Sequence, residues 1–305
     1  MQVTTIGLDL AKNVFQVHGV ANEGEVAFNR SLRRAQVLKF FMSVPPCLVG
    51  IEACGTSHSW AREIAKLGHE VRLIPPAYVK PYVKRGKSDA IDAAAICEAV
   101  TRPSMRFVAV KTPEQQAILA LHRVRDLIVR QRTQIVNMLR GVLAEFGIVV
   151  REGAGHAIAF AKRCLEGSEQ AMPDLARDIV TNLSNQLLSL HRRVLWYGRQ
   201  VNRATSLDAR VARLRTIPGV GPITASAIVA LIGDGHPFSN GRSFAAWLGL
   251  TPLNRSSGGK ERLGRISKIC LLYTSDAADD TQFVEVWGGG VGVIVGGGGG
   301  GGGGG

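Results

Sequence analysis

The first hundred residues alternate between short apolar runs and turn-forming clusters. Residues 3–10, 14–20 and 25–32 are β-prone. The Ala11-Lys12-Asn13 and Ala21-Asn22-Glu23-Gly24 segments between them give the spacing of an antiparallel meander. A helical stretch over residues 36–42 closes at Pro45-Pro46. Residues 47–53 form an apolar run interrupted by Glu52, which suits a buried strand. Residues 59–67 read as a helix stopped by Gly68, and residues 70–74 as a strand stopped by Pro75-Pro76. Ser88 caps a helix that runs to about Val100, with Asp89 and Asp92 in its first turn. Three strands, helix, strand, helix, strand, helix is the element order of an α/β RNase H-like domain.

The middle of the chain changes period. Leu121, Val124, Ile128, Gln131, Ile135, Met138 and Val142 step by three and four, as do Val180, Leu183, Leu187, Leu190, Val194, Tyr197 and Val201. Such heptads predict two long coiled-coil helices that pair with each other or with a second subunit. Gly147, Gly153, Gly155, Gly167 and Pro173 break the stretch between them. Arg123, Arg125, Arg130, Arg132 and Arg140 decorate the first helix, as a solvated face or as a track for phosphates. Beyond residue 212, Ile217-Pro-Gly-Val-Gly-Pro222 places Gly219 and Gly221 just ahead of an apolar helix. Backbone N–H groups at such a helix start can hold a phosphate, the pattern of a helix-hairpin-helix that touches DNA backbone. An ordinary helical turn is the bland alternative. A short apolar helix follows over residues 244–250.

Composition supports a nucleic-acid partner. Lys plus Arg is 37 and Asp plus Glu is 24, a net charge of +13, which favours a polyanionic partner without specifying a fold. Residues 270–305 hold four acids, no Lys or Arg, and end in Gly296–Gly305, so residues 1–269 carry +17. The string Cys270-Leu-Leu-Tyr-Thr-Ser-Asp-Ala-Ala-Asp-Asp280 resembles translated sequencing-library adapter followed by poly-G read-through, and is set aside as non-native. No run of about 18 apolar residues predicts a membrane span, and the start lacks the basic and apolar regions of a signal peptide. Five scattered Cys form no C-x-x-C pair. The expectation is a cytoplasmic protein, not associated with a membrane.

Two groups of residues carry chemistry. Asp9 falls in the first strand, Glu52 at the end of the fourth, and Asp89 and Asp92 three apart on one helix face. Acids inside apolar strands are costly without a partner, and converging carboxylates suit Mg²⁺ with its hard oxygen ligands. Two such ions can assist phosphodiester cleavage. The second group is Ser256-Ser257-Gly258-Gly259, a hydroxyl on a glycine-flanked loop. Arg255, Lys260, Arg262, Arg265 and Lys268 surround it against the single acid Glu261. Taken alone, this second group is an ordinary turn sequence. Carboxylates alone would serve a Holliday-junction-type endonuclease, and the charge alone an inactive nucleic-acid-binding remnant.

The ordered set Ile6-Gly-Leu-Asp9-Leu-Ala-Lys12, Gly50-Ile-Glu52-Ala53, Lys87-Ser-Asp89-Ala-Ile-Asp92-Ala-Ala94, Ile217-Pro-Gly-Val-Gly-Pro222, Gly249-Leu-Thr-Pro252, Ser256-Ser-Gly-Gly-Lys260 and Gly264-Arg-Ile-Ser-Lys268 resembles the DEDD transposases of bacterial insertion sequences, the IS one-ten family that includes pilin-gene invertases. The resemblance covers residues 1–269. It implies a RuvC-like DEDD nuclease domain (1–110), a helical dimerisation segment (111–212) and a mainly α transposase domain with the serine motif (213–269). It further implies a recombinase, a homodimer or tetramer, acting on element ends and target DNA and guided by a noncoding bridge RNA. Asp9, Glu52, Asp89 and Asp92 would bind Mg²⁺, and Ser256, or less favourably Ser257, would attack the phosphodiester. After the Arg-Ile-Ser-Lys segment the family continues into a helix with a Tyr-Leu-Arg pattern. This chain instead enters the adapter-like text, so the transposase domain is expected to be cut short.

Overall fold

The computed structural model describes residues 2–83, 88–167, 172–233, 238, 240–247, 250–254 and 262–266. Two compact units divide the chain, Met1–Thr112 with Gly235–Gly305, and Pro113–Asp234.

In the first unit, β1 (Val3–Asp9), β2 (Val14–Ala21) and β3 (Val26–Arg33) form the expected meander. β4 (Leu48–Glu52) pairs parallel to β1, and β5 (Glu70–Ile74) parallel to β4, so the sheet order is β3-β2-β1-β4-β5. α1 (Val37–Ser43) and α2 (Ser57–Ala65) link the later strands. A short α3 (Pro76–Val79), absent from the sequence reading, precedes α4 (Asp89–Val100), where Ser88 Oγ accepts from the Ile91 N–H. This mixed sheet with its helices is consistent with an RNase H-like domain.

Strand alternation sorts the side chains by face. Ile6, Leu8, Phe15, Val17, Val49, Ile51 and Leu73 join one core with Phe40, Phe41, Ala61 and Ile64. The opposite parity carries Thr5, Gly7 and Asp9 on β1, and Leu48, Gly50 and Glu52 on β4. α4 covers that second face. A Cβ built on Gly7 would run into the Ala93 carbonyl and come within 2.5 Å of the Cys97 nitrogen. One built on Gly50 would lie 2.8 Å from Val100 Cβ. Glycine is therefore required by close approach at both positions.

The second unit is helical: α5 (Pro113–Glu145), α6 (Ala154–Leu165), α7 (Asp174–Thr205), α8 (Ala209–Leu214) and α9 (Pro222–Ile232). α5 and α7 pair with each other. On α7 the predicted Val180, Leu187, Leu190, Val194 and Val201 are buried. On α5 the predicted stripe is corrected. Ile128 is buried, but further along Val136, Leu139 and Leu143 are buried while Met138 is 57% exposed. A straight helix drifts about 20° per heptad from a 3.5-residue repeat, and α5 packs on Phe160 and Ala161 of α6 as well as on α7. α8 and α9 meet through Val211, Ala225 and Val229. Among the described residues no helix is long and apolar enough to cross a membrane.

In the remaining stretch, the apolar helix expected over 244–250 is α10 (Gly241–Trp247). β6 (Pro252–Asn254) pairs antiparallel with β7 (Leu263–Ile266).

The tight seating of α4 predicts that Gly7→Ala lowers stability by about 1–3 kcal/mol, the range for overpacking a closed site. Gly55→Ala, where an added Cβ meets nothing within 4 Å, should stay within about 0.5 kcal/mol. Urea midpoints measure both, and an unchanged midpoint for Gly7→Ala would contradict the packing described.

Candidate active site

Register brings the acids together. Gly7 pairs with Gly50 and Leu8 with Ile51, so Asp9 and Glu52 come next at the carboxyl ends of two adjacent parallel strands. That edge of an α/β sheet is where ligands usually bind. α4 starts over the same edge, with Asp89 and Asp92 in its first turn, where acids complement the helix dipole. Asp9, Glu52 and Asp92 are half-buried, and Asp89 is exposed.

The electrostatics show that these groups act on one another. Burial pushes Asp9 up to about 6, repulsion from Asp92 and Asp89 adds to it, and the Leu10 N–H acts in the other direction. Glu52 is pushed up to about 7 by burial, then by Asp9 and Asp92. Desolvation and like charge both disfavour the ionised form, so near neutral pH the pair holds protons that isolated carboxylates would release.

Hard oxygen donors that repel one another in this way fit a divalent cation, which would remove the repulsion. Among the described residues, no three His, Cys, Asp or Glu groups form a ready metal cage. The acids are thus coupled through space without being drawn into a coordination shell. A cavity of about 660 Å³ along α4, lined by Thr5, His18, Asn29, Ile91 and Glu98 among others, includes none of the four.

Of the phosphate-contact residues expected from sequence, Gly219 and Gly221 are exposed in the α8–α9 turn. Gly219 has φ +85°, a conformation that favours glycine. Gly221 caps α9 in an extended conformation and Pro222 opens the helix. The first-turn N–H groups of a helix lack intrahelical partners, so this turn can present donors to an anion. Arg262 is exposed just ahead of β7, and position 265 lies in β7. Arg255, Ser256, Ser257, Gly258, Gly259, Lys260 and Lys268 lie outside the described residues. Their segment follows β6 in the chain, and 263–266 return as β7.

Other polar residues came from the structure alone. His122 on α5 bonds Ser226 Oγ on α9 at 2.9 Å. Burial and the nearby Arg125 push the histidine down to about 4, so it stays neutral. Gln16 is the cross-strand partner of Asp9. It donates to Asn29 Oδ1 at 2.6 Å and accepts from Ser31 at 2.7 Å. Neither set has a sequence signal, because the partners are brought together from distant positions.

Comparison with known proteins follows the same two regions. A transposase family model of the DEDD IS110 type matches residues 6–148, which include Asp9, Glu52, Asp89 and Asp92. A model described as the transposase IS116/IS110/IS902 family matches residues 211–270, which include Ser256 and Ser257. The chain is 50% identical over 269 residues to a probable family 20 transposase of Pseudomonas aeruginosa, covering 88% of this chain and 80% of that protein. It is 42% identical over 267 residues to the transposase for insertion sequence element IS1328 of Yersinia enterocolitica, covering 87% and 79%. It is 24% identical over 270 residues to a pilin gene-inverting protein of Moraxella bovis, covering 85% and 75%. A DEDD domain in general implies use of a divalent metal. With both family models matched in chain order and half its positions shared with a transposase over 269 residues, the chain belongs to the IS110/IS116/IS902 family of transposases, enzymes of DNA transposition.

Proposed function

We propose that this transposase cuts and rejoins DNA strands with two cooperating groups, the carboxylates at the β1–β4 edge and a serine nucleophile. The mutual repulsion of Asp9, Glu52 and Asp92 at one strand edge carries this reading. Asp9, Glu52, Asp89 and Asp92 would hold Mg²⁺. When bound, that ion supplies electrophilic stabilisation of phosphate oxygens and activation of the attacking group. Asp9 and Glu52 hold their carboxylates on strands that cannot shift without breaking the sheet, and α4 carries Asp89 and Asp92 to the same edge. Ser256 forms an Oγ–P bond as one bridging P–O bond of the DNA breaks, with the hydroxyl proton passing to the departing oxygen. Arg255, Lys260, Arg262, Arg265 and Lys268 would offset the charge that develops on the phosphate. The turn at Gly219 and Gly221 would hold the backbone of the DNA in helix-hairpin-helix fashion. Element ends and target DNA, a noncoding guide RNA and a homodimer or tetramer complete the proposed assembly.

The nucleophile is read with DNA carrying element ends. Wild-type chain should leave an SDS-stable protein–DNA adduct. Ser256→Ala and Asp9→Asn should each lower strand exchange by about 10²-fold or more, with the adduct lost in Ser256→Ala and kept in Ser257→Ala. An adduct kept in Ser256→Ala and lost in Ser257→Ala would move the assignment to Ser257. Metal-dependent cleavage of branched DNA with no adduct in any variant would instead favour a carboxylate-only nuclease.

The raised carboxylates also predict a pH and metal dependence. In the unfolded chain Asp and Glu titrate near 4, whereas folded Asp9 and Glu52 titrate at about 6 and about 7. The folded state therefore binds more protons between those values, and these two acids make stability fall as pH rises from about 4 to 7. His122 acts with the opposite sign but is common to both chains compared. Relative to Asp9→Asn/Glu52→Gln, the wild type should lose melting temperature between pH 5.5 and 8, and Mg²⁺ should restore it at pH 8 but not at pH 5.5. Parallel profiles with and without Mg²⁺ would contradict the carboxylate site.

A further inference from the structure

The α5–α7 seam holds cations where a helical pair normally holds apolar side chains. Ile128 packs with Leu190 and Val194, and Val136, Leu139 and Leu143 lie in one core with Val180 and Leu187, so the helices run antiparallel. Between and beside these apolar layers sit Arg125 and Arg132, seven residues apart on α5, and His191 and Gly198, seven apart on α7. Arg125 Nε lies 4.0 Å from where a Gly198 Cβ would stand. Gly198 thus lies opposite Arg125 across the seam.

These groups are half-buried and unmatched. Arg125 Nε, Arg132 Nε and His191 Nδ1 are buried and make no hydrogen bond. Among the described residues neither arginine nor the histidine forms an ion pair. Asp126, the carboxylate that acts on Arg125, pairs with Arg130 at 3.0 Å. Arg132 is lowered by burial and then by Arg125. His191 is lowered by burial and then by Arg132 and by Lys162 of α6. A half-buried cation beside a like charge is disfavoured by desolvation and by repulsion, and replacing it by an apolar residue of similar length would remove that cost.

We propose that Arg125, Arg132, His191 and Lys162 form a binding site for the phosphate backbone of a nucleic acid, on the helical unit and separate from the carboxylate edge. The guanidinium fork matches a phosphate's oxygens. Seven helical residues rise about 10.5 Å, too far for one phosphate to join Arg125 and Arg132, so a polymer with successive phosphates is the fitting anion. The choice of nucleic acid as that polymer rests on the DNA-processing function proposed above.

The experiment uses the full chain, a labelled mixed-sequence 30-base-pair DNA duplex and a labelled single-stranded RNA of the same length, with affinities measured by fluorescence anisotropy across a salt series. Arg132→Met should raise the melting temperature, because a half-buried cation repelled by Arg125 is removed. It should also weaken binding about threefold to tenfold and reduce the steepness of the salt dependence by about one. A merely structural arginine would give the reverse pattern: a lower melting temperature with affinity and salt slope unchanged. That result overturns the site. Arg125→Met gives the same slope readout should Arg132→Met not fold. A loss confined to RNA, or to the duplex, supports the site and names the source of the phosphates. If Arg132→Met binds both probes like wild type while Ser256→Ala still loses its adduct, the site falls and the proposed function stands. If the wild-type chain binds neither probe, both fall.

Discussion

The seating of α4 on the sheet is the contact on which the candidate site depends. Gly7 and Gly50 occupy neighbouring positions in the β1–β4 register, and the helix lies so close that neither tolerates a Cβ without displacement. This approach brings the first turn of α4 over the strand ends. The same strand parity that puts the two glycines under the helix puts Asp9 and Glu52 under it two residues later. Packing and chemistry therefore share one geometric cause. A looser helix would leave Asp89 and Asp92 farther from Asp9, and the mutual repulsion that characterises this edge would fade with distance.

Each unit contains a set of like charges that it does not balance internally. At the sheet edge, carboxylates are held where burial and repulsion keep two of them partly protonated. In the helical unit, Arg132 and His191 are held where burial and neighbouring cations lower them. Both cost stability in the isolated chain, because desolvation acts on each ion and the neighbours have the same sign. Cations would relieve the first and phosphates the second. A transposase meets both when it binds nucleic acid, so the two strained sets are readily understood as parts of one function.

Much of the sheet domain was legible beforehand because its signals are local. Most strands are short apolar runs bounded by Gly, Pro or Asn, and Ser88 is a side-chain cap seen directly in the sequence. Observed strand bounds lie within a residue or two of those expected, and the short α3 was missed behind the Pro75-Pro76 pair. On α7 the heptad pattern named the buried stripe. On α5 it did not, because that helix packs on two partners and its buried face rotates along its length, leaving Met138 exposed. The arginines of α5 illustrate the same limit. Sequence offered a solvated face or a phosphate track, and only the pairing with α7 shows Arg125 and Arg132 turned into the seam.

Sequence alone determined the order of elements, the identity of the four acids, the basic charge and the motif set shared with insertion-sequence transposases, since each is written in neighbouring residues or in composition. The tertiary structure decided which acids feel one another, why Gly7 and Gly50 cannot be larger, how His122 reaches Ser226, and which arginines turn into the α5–α7 seam. Those properties depend on distances between residues far apart in the chain and on the removal of solvent between them. They arise only when the helices and the sheet are packed.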